Sequence, residues 1–337
     1  MTRNARSSLG SLRGALLALA MCATASAGTA ASNQDATAPV PSASRYTFLV
    51  GFGPGGVPDL AARLIADRLQ ARHKTPAVVV NKPGVGGMLA AQEVLDATPD
   101  GATPLSVTPA HATAPAIYRD LRYDTLRDFA PVTLIGDGPA MVIVPASSQV
   151  TDMADLVRRA KAEPGRLTYS SAGVGGSTHF AAELLRQKAG IDVLHIPYKG
   201  VAQAMTEVVA GRVDFTVAPY VAAVKLVQAG KARALAVAGK QRMPEMPDVP
   251  TVSESGVPGY EWSFWYGLLV SSKTPAETVA RLNREVVDIL RSPDVQSKLA
   301  DMGVDIAASS PEAFQALLTD EVAKFKAIAK AANIEPN

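Results

Sequence analysis

The sequence predicts an α/β protein in which parallel sheets are covered by helices on both faces. The first observation is a regular alternation of short apolar runs with amphipathic stretches. The second is that several amphipathic stretches close on a glycine followed by a basic residue, as at Gly211 and Gly230, which is a common helix-stop signal. Alternating β and α units of this kind imply parallel strands joined by helical crossovers.

These elements follow in order along the chain. Strands are predicted at residues 46–50, 77–80, 141–144, 193–196, 213–217 and 234–237. Helices are predicted at residues 60–69, 153–162, 180–189, 201–210 and 221–229. The C-terminal part differs, because one strand-like run at 266–270 precedes two long helical segments at 275–299 and 311–332.

The N-terminus is typical of an exported protein. Three arginines precede an apolar run and then a small-residue segment, in the order Arg3, Arg6, Arg13, residues 15–21 and Ala25-Ser26-Ala27. This is the order of a secretory signal peptide, so residues 1–27 are predicted to be cleaved; a plain N-terminal helix is the alternative. The apolar run is too short to cross a bilayer, which needs about 20 apolar residues.

Cys22, the single cysteine, offers an alternative form of processing. The segment 19–22 faintly resembles a lipobox, but Met21 is bulky where such sites prefer a small residue. We therefore expect cleavage after Ala27 rather than a lipid anchor at Cys22. The mature chain then has no cysteine and so no disulfide, thiolate metal site or cysteine nucleophile.

The apparent basicity of the chain belongs to its leader. The full chain has 33 Lys plus Arg against 31 Asp plus Glu, and removal of three arginines leaves 30 against 31, so the formal charge moves from +2 to −1. The mature protein therefore gives no case for a nucleic-acid partner. Residues 28–44 are rich in Ala, Ser, Thr and Pro and are predicted to form a flexible spacer.

Three glycine-rich turns, each between a strand-like and a helix-like run, carry the main functional signal. They lie at residues 51–59, 84–87 and 171–179. Glycine leaves the loop without side chains, so backbone N–H groups can approach a ligand. A helix N-terminus adds unpaired donors and a partial positive charge. Together the turns predict a cleft that binds a small anion.

The better-known site motifs are excluded one by one. Gly51-x-Gly53-x-x-Gly56 matches the dinucleotide fingerprint, but Asn81 stands where an acid should hold the ribose. There is no phosphate-binding GxxxxGK[ST] and no GxSxG nucleophile elbow. Ser177 and His179 are two positions apart and face different directions on a helix, so they make a poor nucleophile–base pair. No cofactor is predicted, and Ser177 or Thr178 is expected to cap the helix.

The histidines and aromatic residues are weaker signals. The four histidines have no metal-ligand spacing, so no metal is predicted. His195 is interpreted as a packed structural residue, whereas His111 and His179 lie near turns and are candidates for lining a cleft. An aromatic cluster occurs at Trp262, Phe264, Trp265 and Tyr266. Core packing is its default explanation, and a wall of the cleft is the alternative.

Six short motifs, in order, give the chain a family resemblance from about residue 46 to the C-terminus. They are Phe52-Gly53-Pro54-Gly55-Gly56 with Asp59, the segment 81–87, the segment 128–132, Ser171-Ala172-Gly173 with His179, Pro197-Tyr198-Lys199-Gly200 and the segment 247–251. Together they resemble the Bug receptor family, the periplasmic solute-binding proteins of tripartite tricarboxylate transporters.

The resemblance implies a two-lobed periplasmic-binding-protein (flytrap) fold, each lobe a mostly parallel sheet flanked by helices. Lobe one would comprise residues 45–140 plus 264–337 and lobe two residues 141–263. The hinge would lie near 141–142 and 265–266. Family ligands are small carboxylates held by loop amides and bridging water. Departures from the family pattern at Val174, Gly176 and Ala218-Pro219 mean that a relative's ligand should not be carried over.

The predicted ligand-binding residues follow from the turns and the resemblance together. Carboxylate capture is assigned to the amides around Gly55 and Gly56, with Asp59 ordering that turn through hydrogen bonds. The opposite lobe would bind through amides and hydroxyls at Gly173, Ser177 and Thr178. The residues expected to shape the pocket are Thr108, His111, Pro219, Tyr220 and Trp265. Because the turns at 51–59 and 171–179 contain no Lys or Arg, binding should depend on backbone donors.

The sequence thus predicts an exported, non-enzymatic and monomeric receptor. It would capture a small carboxylate between two lobes in the periplasm and deliver it to a membrane permease. Two alternatives remain open, an exported enzyme acting on small organic acids and a periplasmic ligand sensor for a signalling receptor.

Overall fold

A computed structural model describes residues 45–334 and 336. The predicted signal peptide (1–27), Cys22 and the spacer (28–44) lie outside the described residues. None of the described helices is both long enough and apolar enough to cross a membrane.

Strands and helices alternate through most of the described chain. The strands are β1 Tyr46–Val50, β2 Ala77–Asn81, β3 Leu105–Val107, β4 Phe129–Pro145, β5 Thr168–Ser171, β6 Leu194–Pro197, β7 Phe215–Pro219, β8 Ala232–Val237, β9 Ser263–Ser271 and β10 Asp305–Ile306. The helices are α1 Val57–His73, α2 Met88–Asp96, α3 Pro109–Ile117, α4 Met153–Ala162, α5 Ser177–Ala189, α6 Val201–Val209, α7 Tyr220–Gln228, α8 Ala276–Leu290, α9 Pro293–Ala300 and α10 Pro311–Ala331. A short 3₁₀ turn, Val85–Gly87, precedes α2.

Two parallel groups of strands are joined by antiparallel ones. The strand order is β2-β1-β3-β9-β4-β7-β5-β6, with β8 and β10 also pairing with β4. Strand β1 is parallel to β2 and β3, and β5 is parallel to β6 and β7. The pairings made by β4 and β9 are antiparallel. The predicted α/β class is confirmed.

The long strand β4 belongs to both groups. Residues from Phe129 to Pro139 pair with β9. Residues from Ala140 to Pro145 pair with β7 and β8 instead. The chain therefore passes from one group of strands to the other between Pro139 and Ala140. The division into lobes and the hinge positions stay predictions.

The described elements differ from the predicted ones at several boundaries and in several omissions. Helix α1 begins at Val57 rather than at residue 60, and the predicted helix 275–299 is two helices, α8 and α9. Pro293 is the first residue of α9, where the missing N–H of proline leaves no helical hydrogen bond unmade. Elements without a predicted range are the strands β3, β5 and β10, the first half of β4, and the helices α2 and α3.

The aromatic cluster packs in the core, as its default explanation predicts. Trp262, Phe264, Trp265 and Tyr266 are all buried. The Trp265 indole donates to Glu321 Oε2 over 2.9 Å, which ties β9 to α10. Trp265 is thus held inside the core, and its role as a pocket residue stays a prediction.

Candidate ligand-binding site

The first glycine-rich turn connects β1 to α1 and is built around Gly55. Gly55 has a φ of +87°, in the left-handed region that favours glycine. Its N–H donates to Asp59 Oδ2 over 2.9 Å. Gly56 follows in an extended conformation (φ −80°, ψ 164°) and is the N-cap of α1. The Asp59 carboxylate therefore orders the turn by a hydrogen bond of the kind the sequence predicts.

The Asp59 side chain is 1% exposed and satisfied by its neighbours. Arg63 donates to both carboxylate oxygens, from Nε over 3.1 Å and from Nη2 over 2.9 Å. Asn81 Nδ2 donates to Oδ1 over 2.9 Å and to the Phe52 carbonyl over 3.0 Å. Burial raises the pKa of Asp59, but the hydrogen bonds from Arg63, Gly55 and Asn81 outweigh burial and hold the pKa below its ordinary value. The carboxylate is therefore ionised, and its charge is offset by Arg63.

The second glycine-rich turn connects β5 to α5 and is built around Gly175. Gly175 has a φ of +77°. Its N–H donates to Nδ1 of His179 over 3.0 Å. Gly176 is the extended N-cap of α5 (φ −70°, ψ 162°), and the helix begins at Ser177.

The two turns share one design. In each, a glycine with positive φ precedes an extended glycine N-cap, and the side chain four residues after the first glycine accepts its N–H. The residues in these roles are Gly55, Gly56 and Asp59 in the first turn and Gly175, Gly176 and His179 in the second. The same backbone shape therefore presents both helix N-termini, although the accepting side chain is charged in one turn and aromatic in the other.

The second turn requires a neutral His179. A backbone N–H can only donate, so Nδ1 must carry no proton to accept from Gly175. Burial, with a smaller contribution from the charge of Arg186, lowers the pKa of His179 to about 4. The ring stacks on His195 with 4.0 Å between centroids. His195 Nε2 in turn lies 2.6 Å from Oγ of Ser171. The two stacked histidines therefore contact the second turn at Ser171 and at Gly175.

Four amides at the two helix N-termini have no hydrogen-bond acceptor among the described residues. They belong to Gly56, Val57, Ser177 and Thr178. The predicted Gly55 and Gly173 amides differ, because Gly55 donates to Asp59 and Gly173 donates to Oγ of Ser171 over 3.1 Å. In this arrangement those two amides are not free to bind a ligand.

The expectation that Ser177 or Thr178 caps α5 is wrong. The N-cap is Gly176, and it has no side-chain cap. Thr178 Oγ1 instead accepts from the N–H of Ala172 over 2.8 Å, which closes the turn from strand to helix.

The third turn, 84–87, lines a small cavity beside the first. The cavity has a volume of about 10 Å³, and the residues around it are Gly51, Phe52, Gly86, Gly87, the segment 105–107, Thr108 and His111. The structure therefore brings Thr108 and His111, two predicted pocket residues, to the same place as the first and third turns. This place is the carboxyl end of the parallel strands β1 and β3, where open α/β sheets usually bind ligands.

The predicted residues of the second strand group are placed differently. Pro219 ends β7, and Tyr220 begins α7. The Tyr220 side chain is buried in a cluster that includes Met141 and Met205. It also packs closely against Gly303. The core therefore accounts for the contacts of Tyr220, and its role as a pocket residue stays a prediction.

Some residues of the site were missed by sequence reasoning. Arg63 and Asn81 hold Asp59, and neither was among the predicted ligand-binding residues. Thr113 on α3 was also missed; its Oγ1 lies 3.0 Å from both the Gly175 and the Ala110 carbonyls, and its single proton is shared between these two acceptors. The spacing of Arg63 from Asp59 (i, i+4 on one helix) was the available signal for the first contact. No local sequence pattern indicates the contact of Thr113 with Gly175.

Fold and site together define the class of this protein. The chain has two groups of parallel strands joined by β4, and two turns of the same design present free amides at helix N-termini. This is the architecture of a solute-binding protein. The chain belongs to the family of tripartite tricarboxylate transporter family receptors (TctC), whose family model matches residues 61–334.

Individual relatives agree with this assignment. The chain is 35% identical over 281 residues to the "UPF0065 protein in tcbD-tcbE intergenic region" of Pseudomonas sp. (strain P51), covering 83% of this chain and 84% of the relative. The structure of R. palustris Rpa4515 with adipate has a TM-score of 0.80 and 35% identity, covering 87% of this chain and 99% of the other. The periplasmic binding protein BugD has a TM-score of 0.77 and 29% identity, covering 87% and 99%. The resemblance to the Bug receptor family and its two-lobed fold is confirmed.

Proposed function

We propose that this protein is a periplasmic receptor that captures a small carboxylate between its two lobes and delivers it to a membrane permease. The observation that carries the proposal is the matched pair of turns, each with two free N–H groups at a helix N-terminus. The similarity to a protein whose structure contains adipate supports a carboxylate ligand.

The geometry suits a carboxylate without a dedicated cation. A carboxylate removed from water must be hydrogen-bonded, and charge-assisted N–H···O bonds are the stronger kind. The amides of Gly56 and Val57 can serve one carboxylate, and those of Ser177 and Thr178 another group of the ligand. Arg63 is bound to Asp59, so its charge neutralises the buried acid and does not need to bind the ligand.

The remaining parts of the proposal follow from the sequence and the family. Lobe one comprises 45–140 plus 264–337 and lobe two 141–263, with Thr108, His111, Pro219 and Tyr220 near the cleft. The protein is exported by a cleaved signal peptide and acts as a monomer. A cognate permease is expected from the family description.

A binding role is favoured over an enzymatic one. The closest approach to a catalytic pair in the described chain is Ser171 with His195, separated by 2.6 Å. Burial and the neighbouring His179 together lower the pKa of His195 to about 3, against a smaller opposing effect of Glu183. A general base works best with a pKa near the operating pH, so this pair is poorly suited to activating a hydroxyl. The pair instead supports the second turn.

The proposal is tested by a thermal-shift screen of mono-, di- and tricarboxylates against their amides and esters. A ligand at 100 times its Kd stabilises the native state by about 2.7 kcal/mol, so at least one acid should raise the Tm clearly. Sugars or cationic amines that raise the Tm where acids do not would contradict the proposal.

Gly56→Val then locates the site. Gly56 has an ordinary φ, and an added Cβ would meet only Pro58 Cδ at 3.6 Å, so the variant should fold. Its branched side chain would stand where the ligand approaches the free amides, and calorimetry should show no detectable binding. Gly53→Ala is the matched control, because a Cβ there meets nothing within 4 Å. Equal affinities for the two variants would place the ligand elsewhere.

A further inference from the structure

The cavity between the first and third turns has room for one small polar group. Its volume of about 10 Å³ is close to the minimum that holds a single water molecule. Residues of the two glycine turns line the cavity together with the end of β3, Thr108 and His111. A group held here would lie beside Gly51 and Phe52, at the start of the first turn.

His111, one of the residues that line this cavity, carries an unpartnered nitrogen. The side chain is 5% exposed, and its Nε2 atom is buried without a hydrogen-bond partner among the described residues. The ring is fixed in place, because it stacks on Tyr123 at 5.9 Å and meets the edge of Phe129 at 5.0 Å. A buried polar atom without a partner is costly, so an occupant that satisfies Nε2 would be stabilised.

The state of the ring makes Nε2 an acceptor. Burial lowers the pKa of His111 to about 4, while a hydrogen bond to the Thr125 backbone raises it. The ring is therefore neutral at pH 7 and carries one proton. A backbone bond that favours the protonated ring is one in which a carbonyl accepts the ring N–H. Because Nε2 has no partner, that N–H belongs to Nδ1, and Nε2 keeps a free lone pair.

The neighbouring hydroxyls complete the pattern. The Ser106 hydroxyl is already used, since it donates to the Pro58 carbonyl over 3.0 Å. Thr108 Oγ1 accepts from the N–H of Ala110 over 3.3 Å, which leaves its own proton free to donate. An occupant of the cavity can thus donate to His111 and accept from Thr108. A carboxylate oxygen can only accept, and an ammonium group can only donate.

We propose that this cavity is a subsite for one hydroxyl group, occupied by a water molecule in the free protein and by the hydroxyl of a hydroxy acid in the complex. The second half of the proposal rests on the proposed function. His111 is then a specificity-determining residue, which favours hydroxylated acids over their counterparts without the hydroxyl.

The water is tested first, by a high-resolution crystal structure of the ligand-free protein. We expect an ordered water within hydrogen-bonding distance of His111 Nε2 and Thr108 Oγ1. A dry cavity, or a protein donor on Nε2, would overturn the proposal. This measurement does not depend on whether the protein binds carboxylates.

The specificity is tested by calorimetry with matched acids: succinate and malate, glutarate and 2-hydroxyglutarate, adipate and 3-hydroxyadipate. The hydroxylated member of at least one pair should bind about tenfold more tightly to the wild type, as expected for one additional well-made hydrogen bond. His111→Leu should weaken binding of the hydroxylated member more than binding of the other member, and so remove the preference. His111→Gln, which retains an acceptor near the Nε2 position, should keep part of it.

The remaining outcomes separate the two proposals. Equal affinity within every pair, or an equal loss for both members in His111→Leu, would overturn the hydroxyl subsite while leaving the carboxylate receptor intact. If no acid binds the wild type, the proposed function fails and the crystallographic water alone decides the subsite. Circular dichroism of each variant confirms that it is folded.

Discussion

Asp59 and His179 order equivalent turns by different chemistry. Each accepts the N–H of a glycine four residues earlier, at 2.9 Å and 3.0 Å. Asp59 does so as an anion that needs Arg63 beside it, whereas His179 does so as a neutral ring that must not gain a proton. The two turns therefore depend on different neighbours and on different ranges of pH.

The charge of Asp59 should contribute measurably to the free energy of unfolding. In Asp59→Asn one acceptor oxygen becomes an NH₂ group that faces other donors, including Arg63 and Asn81. We expect the free energy of unfolding to fall by about 1.5–3 kcal/mol, measured by urea denaturation. The control is Asp294→Asn, which removes an exposed, solvent-screened ion pair with Arg68 and should cost less than Asp59→Asn. Equal losses would mean that Asp59 does not hold the turn.

Acid should destabilise the protein through its buried histidines. Burial lowers the folded-state pKa of His111 and His179 to about 4, below the ordinary value of 6.5. The unfolded chain therefore binds more protons than the native state between pH 6.5 and 4, so stability is full above this window and is lost as the pH falls through it. Each histidine contributes a slope of up to about 1.4 kcal/mol per pH unit. Urea unfolding at pH 7, 6 and 5 measures this slope. His179→Gln should reduce the slope by the contribution of one histidine. An unchanged slope would contradict this assignment.

At the scale of elements, β4 shows what the sequence could and could not predict. Its second half is a plain apolar run and was predicted, but its first half contains Pro131, Gly136 and Pro139, which interrupt the strand pattern. In the structure the pairing with β9 shifts register between Pro131 and Thr133 and again between Leu134 and Gly136. These irregularities depend on partner strands that are distant in sequence, so no local pattern reveals them.

The same contrast holds for the site. The contact of Gly55 with Asp59 spans four residues on one turn and could be predicted from the glycine pattern. The contact of Thr113 with Gly175 spans 62 residues and depends on how α3 packs against the second turn. Local hydrogen bonds follow from sequence spacing, whereas contacts between elements follow from packing that the sequence does not display.

Gly136 should be essential to the β4–β10 pairing. A Cβ at this position would lie 2.2 Å from the Asp305 carbonyl oxygen, which is backbone and cannot yield easily. Gly136→Ala should therefore force β10 away from β4 and lower the free energy of unfolding by about 1–3 kcal/mol. Gly53→Ala, in open space, should have a much smaller effect on unfolding measured in the same way. A native-like midpoint for Gly136→Ala would show that the pairing is easily displaced.

At the scale of the whole molecule, α3 connects the ligand-binding turns. Its N-terminal residues Thr108 and His111 line the cavity beside the first turn. Thr113 then donates to the Gly175 carbonyl, and Ile117 packs so closely on Gly175 that no Cβ would fit there. Gly55 and Gly175 lie 120 positions apart in sequence. The short helix α3 nevertheless contributes to the cavity beside the first turn and contacts Gly175 in the second turn. In the proposed division, α3 is the part of lobe one that touches the second turn.

The contact of Thr113 with Gly175 should stabilise a closed arrangement. The Thr113 hydroxyl reaches the Gly175 carbonyl, so it links α3 of the proposed lobe one to the second turn in the proposed lobe two. Thr113→Val keeps the shape of the side chain but removes its hydrogen bond to the Gly175 carbonyl. The equilibrium of the free protein should then shift towards an open form, and the apparent affinity for the carboxylate found in the screen should fall several-fold.

Small-angle X-ray scattering measures this shift as a larger radius of gyration for free Thr113→Val than for the free wild type. Saturating ligand should bring both proteins to the same, smaller value, because the ligand itself joins the two turns. The matched control is Thr319→Val, which removes a threonine hydrogen bond to the Gln315 carbonyl within the exposed face of α10. If Thr113→Val scatters like the wild type and Thr319→Val in the free state, the α3 contact does not govern closure. Opening and closing would then have to be controlled at the two predicted hinge segments, near 141–142 and 265–266.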